Sequence, residues 1–87
     1  MLRVRFRATL WRSPGKGGWH FVDVPPRCAP SRHGAWGRAP VTATVNGSTW
    51  KTSAWRGENR RVLLPLPKRI RGALEEGDRV WVTLEFT

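Results

Sequence analysis

The sequence predicts a mainly β domain: a small closed β-barrel of mixed topology, with about six or seven strands and one short α-helix over about residues 67–76. Three observations predict it. Leu2–Trp11 alternates strictly, with Leu2, Val4, Phe6, Ala8 and Leu10 on one face and Arg3, Arg5, Arg7 and Thr9 on the other. Asn46-Gly47 sits between two alternating runs, and both residues tolerate the positive φ of a type I′ hairpin turn. Arg61–Phe86 joins an apolar strand, a proline-opened helix, a Gly-Asp turn and a closing strand in which Val80, Val82, Leu84 and Phe86 share a face.

The elements follow in order. Leu2–Trp11 is a half-buried strand, and Ser13–Gly18 breaks it as a turn. Trp19–Val24 is a second strand, stopped by Pro25-Pro26, and the two form a hairpin. Arg27–Pro40, rich in Pro and Gly, reads as a long loop with room for a short helical turn. Val41–Val45 and Ser48–Ala54 are the arms of the Asn46-Gly47 hairpin, and Arg56–Asn59 is the next turn. Arg61–Leu66 is an apolar strand. Pro67 opens the helix, Ile70, Ala73 and Leu74 form its apolar stripe, and Gly77 ends it. Closure into a barrel removes the edges that one helix is too short to cover, and the helix is expected to cap one end.

Eighty-seven residues make one domain, residues 1–87. The lone Cys28 has no disulfide partner within the chain, and no apolar run approaches the roughly 20 residues of a membrane span. The N-terminal run lacks the apolar stretch of a signal peptide. These readings describe a soluble cytoplasmic protein that makes no use of a membrane.

Charge is unevenly spread. The chain carries +10 overall; residues 1–56 hold ten basic side chains against one acidic, and residues 57–87 hold six against five. One reading is an anion-facing N-terminal portion. The other is a compositional bias toward arginine, with 13 Arg against three Lys.

The residues with binding chemistry are arginines and tryptophans. Arg3, Arg5 and Arg7 project from one face of a strand about 6.6–7 Å apart, a spacing that tolerably matches phosphates. Trp36 lies beside Arg32, His33 and Arg38, and Trp55 lies beside Arg56, near Arg60 and Arg61. Cations interleaved with aromatic rings hold single-stranded nucleic acid by charge and stacking. The plainer alternative is a solvated arginine face, with tryptophans plugging the barrel ends, Trp19 and Trp50 above all. His20, His33, Cys28 and Asp23 lack the paired spacing of a metal site, and Glu75 and Glu76 diverge around the helix, so neither a cofactor nor a catalytic set is expected. Asp78 is expected to cap backbone amides.

The assembled segments resemble a family of small, uncharacterised bacterial β-barrel domains often found beside a YdeI/OmpD-associated, bacteriocin-protection-like domain. The matching residues are Trp19-His-Phe-Val-Asp-Val-Pro25, Val41–Gly47, Trp50-Lys-Thr-Ser53, Leu63-Leu-Pro-Leu-Pro-Lys68 and Gly77-Asp-Arg-Val-Trp-Val82, spread from about Phe6 to Phe86. The resemblance implies a closed small barrel and no established enzyme activity. Separately, Leu66-Pro-Lys68, Ile70-Arg71 and Gly77-Asp78 resemble the swapped-hairpin transcription factors of the AbrB-like kind, which bind DNA as dimers. The expected function is therefore a non-enzymatic binding or interaction module of unknown ligand. Nucleic-acid binding is the alternative, and both a monomer and a homodimer fit.

Overall fold

The computed structural model describes residues 2–15, 17–29 and 37–86. Seven strands form one sheet: β1 (Leu2–Thr9), β2 (Trp11–Arg12), β3 (His20–Val24), β4 (Arg38–Val45), β5 (Ser48–Arg56), β6 (Val62–Pro65) and β7 (Arg79–Phe86). One short α-helix among the described residues, α1 (Lys68–Arg71), stands between β6 and β7. The strand order is β1-β7-β4-β5-β6-β3-β2, and every ladder is antiparallel.

The alternation read from the sequence sets the faces. Phe6, Val22, Val45, Leu64, Val82 and Leu84 are fully buried on the concave side, and Val80 and Phe86 join them. Arg3, Arg5, Arg7, Arg79 and Trp81 stand exposed on the convex side. Asn46 (φ 50°) and Gly47 (φ 78°) make the positive-φ turn that pins the β4–β5 register, Val45 opposite Ser48.

The sheet is a curled half-barrel, open where a closed barrel was expected, and antiparallel throughout where mixed topology was expected. The reason lies at Leu10. Leu2–Thr9 pairs with β7, not with the next strand in sequence, while Trp11 and Arg12 pair with Phe21 and His20 at the far end of the sheet. The expected first hairpin therefore shrinks to two residue pairs. Leu10 is the hinge between the two ends of the sheet. Its N–H donates to the Asp78 carbonyl and its own carbonyl accepts from Gly77 N–H, both at 2.8 Å. Covalent continuity, not a hydrogen-bonded ladder, brings the two margins together.

Two further elements differ from expectation. The helix spans one turn rather than residues 67–76, because Gly72 (φ 55°, ψ −119°) ends it in a conformation that only glycine enters readily. Ile70 is buried, Leu74 packs partly on the core, and Ala73 is exposed. The stretch read as one long loop has the short helical turn it had room for, a 3-10 turn at Pro26–Cys28 that starts one residue ahead of it, but its last residues, Arg38–Pro40, belong to β4. Asp78 does cap a backbone amide, accepting from Glu75 N–H at 2.9 Å. No helix among the described residues is long and apolar enough to cross a membrane.

Candidate functional site: a cationic groove at the open seam

The unclosed margin leaves an open groove of about 750 Å³. One wall is Arg7, Ala8 and Thr9 of β1; the other is Asp23 and Val24 of β3 with Pro25 and Pro26; Trp11 stands where the two strands diverge. Arg56 at the end of β5 and Asn59, Arg60 and Arg61 from the β5–β6 connection complete it. Ala8, Val24 and Val62 give it an apolar floor, since they are buried or half-buried, and the exposed arginines form its rim.

One arginine of the rim is already committed. Arg61 Nε and Nη2 donate to the two Asp23 carboxylate oxygens at 2.9 and 2.8 Å, a bidentate pair. Trp11 Nε1 donates to Asp23 Oδ1 at 2.8 Å, and the Arg61 guanidinium lies 4.9 Å over the Trp11 ring. The Arg61 hydrogen bonds hold the Asp23 carboxyl below the ordinary carboxylate range against the opposing pull of partial burial, and Trp11 adds to the effect. The pair is half exposed, which limits its contribution to about 1 kcal/mol or less.

Asp23→Asn is therefore expected to destabilise the fold by about 0.5–1 kcal/mol at pH 7. A depressed carboxyl stabilises the fold only while it is ionised. The gap between wild type and variant should stay constant above about pH 5 and close as the pH falls through and below about 3.9. Urea melts across that range check it.

Arg7, Arg56 and Arg60 have no carboxylate partner among the described residues. Arg60 is also held in an unusual backbone state: Asn59 (φ 57°) and Arg60 (φ 60°) are consecutive left-handed residues. Gly57 N–H donates to the Arg61 carbonyl at 2.8 Å and closes the loop that keeps them there. The left-handed conformation costs a residue with a Cβ about 1–2 kcal/mol. Backbone strain of this kind clusters at functional sites.

The remaining candidates fall outside the groove. Arg3 and Arg5 lie on the convex face of β1, opposite Glu85 and Thr83. The guanidinium groups of Arg5 and Arg7 sit 4.4 and 5.9 Å from the ring centre of Trp81, which is 50% exposed. Arg38 stacks 4.4 Å over Trp55, its cross-strand partner. Trp55 shares a shallow pocket of about 230 Å³ with Ser13, Trp19 and Phe21. The expectation for barrel-end tryptophans divides: Trp50 is buried, whereas Trp19 is 56% exposed and stacks on Phe21. Arg32 and Trp36 lie outside the described residues. The structure thus places Arg7, Arg56 and Arg60 along one groove and leaves Arg3, Arg5, Arg38 and Trp55 outside it. Arg61, Asp23 and Trp11 belong to the groove without having been read as a unit. Asp23 is 12 residues from Trp11 and 38 from Arg61, so no local pattern marks them.

No curated protein matches the chain. The model of one family, described as a domain of unknown function, DUF1905, matches residues 6–84. That span runs from the buried Phe6 of β1 almost to the end of β7 and takes in both walls of the groove, so the sheet and its seam fall together within one family unit: the chain belongs to the DUF1905 domain family.

Proposed function

We propose that this domain is a non-enzymatic binding module that takes an anionic ligand in the seam groove. The observation that carries the reading is the set of three arginines, Arg7, Arg56 and Arg60, that line an apolar-floored groove without carboxylate partners among the described residues. Guanidinium groups present rigid arrays of donors suited to carboxylate and phosphate. The groove's carboxylate is spoken for: Asp23 is held ionised by Arg61 and Trp11, which suits it to bracing the wall and makes it a weak base at neutral pH. The sequence resemblance to domains that stand beside a YdeI/OmpD-associated domain supports an accessory role in a bacterial protein.

A second reading, a nucleic-acid-binding surface, is favoured by the arginines stacked on exposed Trp81 and Trp55. Such surfaces grip a strand by charge and by base stacking.

Titration with polyglutamate, a single-stranded oligonucleotide and a duplex in about 50 mM salt tests both readings. Saturable binding of an anionic probe that Arg60→Gly weakens supports the groove. The same variant should gain up to about 1 kcal/mol of stability, because glycine relieves the left-handed strain. A residue kept at the expense of stability would then have a binding role. Failure of all three probes at micromolar protein would overturn both readings. Oligonucleotide binding untouched by Arg60→Gly but lost on Trp81→Ala would move the site to the convex face.

A further inference from the structure

We propose that the ligand of the seam is an extended peptide of alternating acidic and apolar residues, which adds as a strand to the free edge of β1. This rests on reading the seam as an anion-binding site, and narrows it to one class of partner.

The first argument is the backbone. Among the described residues β1 is hydrogen-bonded to β7 alone, so every second N–H and C=O of Leu2–Thr9 points away from β7, toward the groove side. A strand edge of this kind is a template for pairing with another chain.

The second is the incomplete core on the same strand. Among the inward-facing side chains of β1, Phe6 is 1% exposed, Val4 and Ala8 are half-buried, and Leu2 is 59% exposed. The apolar face of β1 is left unfinished where a next strand would stand. Apolar side chains at alternate positions of an added strand would cover Leu2, Val4 and Ala8.

The third is charge. The outward-facing side chains of β1 are Arg3, Arg5 and Arg7, and Arg56 and Arg60 line the same groove. Directly opposed residues on paired strands lie about 4.5–5.5 Å apart, where unlike charges attract and like charges repel. Stacking of Arg5 and Arg7 on Trp81 leaves their in-plane N–H donors available to a carboxylate. The same arginine row disfavours a second copy of this chain, because antiparallel self-pairing through β1 would set arginine against arginine. A nucleic acid has neither ladder-forming amides nor an apolar alternate face to meet Leu2 and Val4.

The test uses the intact domain and three probes: a capped peptide of alternating glutamate and valine as long as β1, a peptide of the same composition with the glutamates and valines in separate blocks, and a single-stranded oligonucleotide. The alternating peptide is expected to bind roughly tenfold or more tightly than the block peptide, about the worth of burying one valine side chain that the block order would leave in water. It should also slow hydrogen exchange at alternate β1 amides. Joint Arg3→Glu, Arg5→Glu and Arg7→Glu replacement should switch the preference to an alternating lysine–valine peptide. Equal binding of both acidic peptides, or binding without protection of β1, overturns strand addition while the seam stands as an anion site. Tighter binding of the oligonucleotide, or a dimer in light scattering whose interface protects β1, also overturns it. If no acidic probe binds in about 50 mM salt, the seam reading falls as well.

Discussion

Phe6→Ala is expected to destabilise the domain by about 3–5 kcal/mol, the largest effect of any single substitution considered. Phe6 is the one bulky β1 side chain that is fully covered; it sits opposite Val82 of β7 and belongs to the main core cluster. Truncation removes its contacts and leaves a cavity that the rigid sheet fills poorly. A chain of 87 residues has only about 4–13 kcal/mol of stability in total, so the variant should be near the edge of folding. Urea unfolding should show a large fall in midpoint with little change in slope, and the melting temperature should drop by at least about 12 °C. Leu2→Ala on the same strand and the same face is the control. Leu2 is 59% exposed, and its loss should fall within about 0.5 kcal/mol. A cost below about 1 kcal/mol for Phe6→Ala would mean that β1 is not docked on the core.

Removing the three unpaired groove cations together, Arg7→Gln, Arg56→Gln and Arg60→Gln, is expected to weaken binding of an anionic probe by about 100-fold. That corresponds to about 1 kcal/mol for each charge-assisted contact. For a nucleic-acid probe the slope of log affinity against log salt should flatten by about 2–3. Stability should hold to within about 1 kcal/mol, since all three side chains are exposed and none has a carboxylate partner among the described residues. The matched control removes the same charge elsewhere, with Lys51→Gln, Arg69→Gln and Arg79→Gln, exposed positions that do not line the groove. If the control weakens binding equally, the net +10 of the chain acts as a diffuse field and the groove is not a site.

Strand identity and facing were legible because they are local. The two-residue period of Arg79–Phe86 places Val80, Val82, Leu84 and Phe86 inward, and the structure places them there. The Asn46-Gly47 turn is likewise a matter of adjacent φ angles. The seam was hidden for the same reason. Leu10 is buried and continues the alternation of Leu2–Trp11 without a break in parity, so the pattern cannot reveal that the strand changes partners there. Barrel closure was inferred from the need to protect edges, whereas among the described residues this sheet leaves the β1 edge unpaired and lines it with arginine. Of the groove arginines, Arg56, Arg60 and Arg61 read as neighbours of Trp55, and Arg7 as a member of the Arg3, Arg5 and Arg7 row. Alternation places Arg56 on the opposite side of β5 from Trp55, and it lines the groove with Arg60 while Trp55 packs toward Trp19 and Phe21. The tryptophans show the limit of composition: Trp50 and Trp19 read alike in sequence, but Trp50 pairs with Ala43 in the middle of the β4–β5 ladder and Trp19 stands just outside β3.

The pairing of β1 with β7, Leu2 opposite Phe86, has a kinetic consequence. The first strand must wait for the last before it can dock, so the contacts that complete the core are the most distant in sequence. Loop-closure entropy is spent before those contacts return anything, and folding should fall in the slow, millisecond-to-second range of non-local β proteins. On the ribosome, the β4–β5 hairpin can form early, but β1 stays unpartnered until β7 has emerged. A nascent chain would therefore expose the Leu2–Thr9 edge until the rest of the domain has emerged, and the arginines that line it would act throughout that interval as a guard against aggregation.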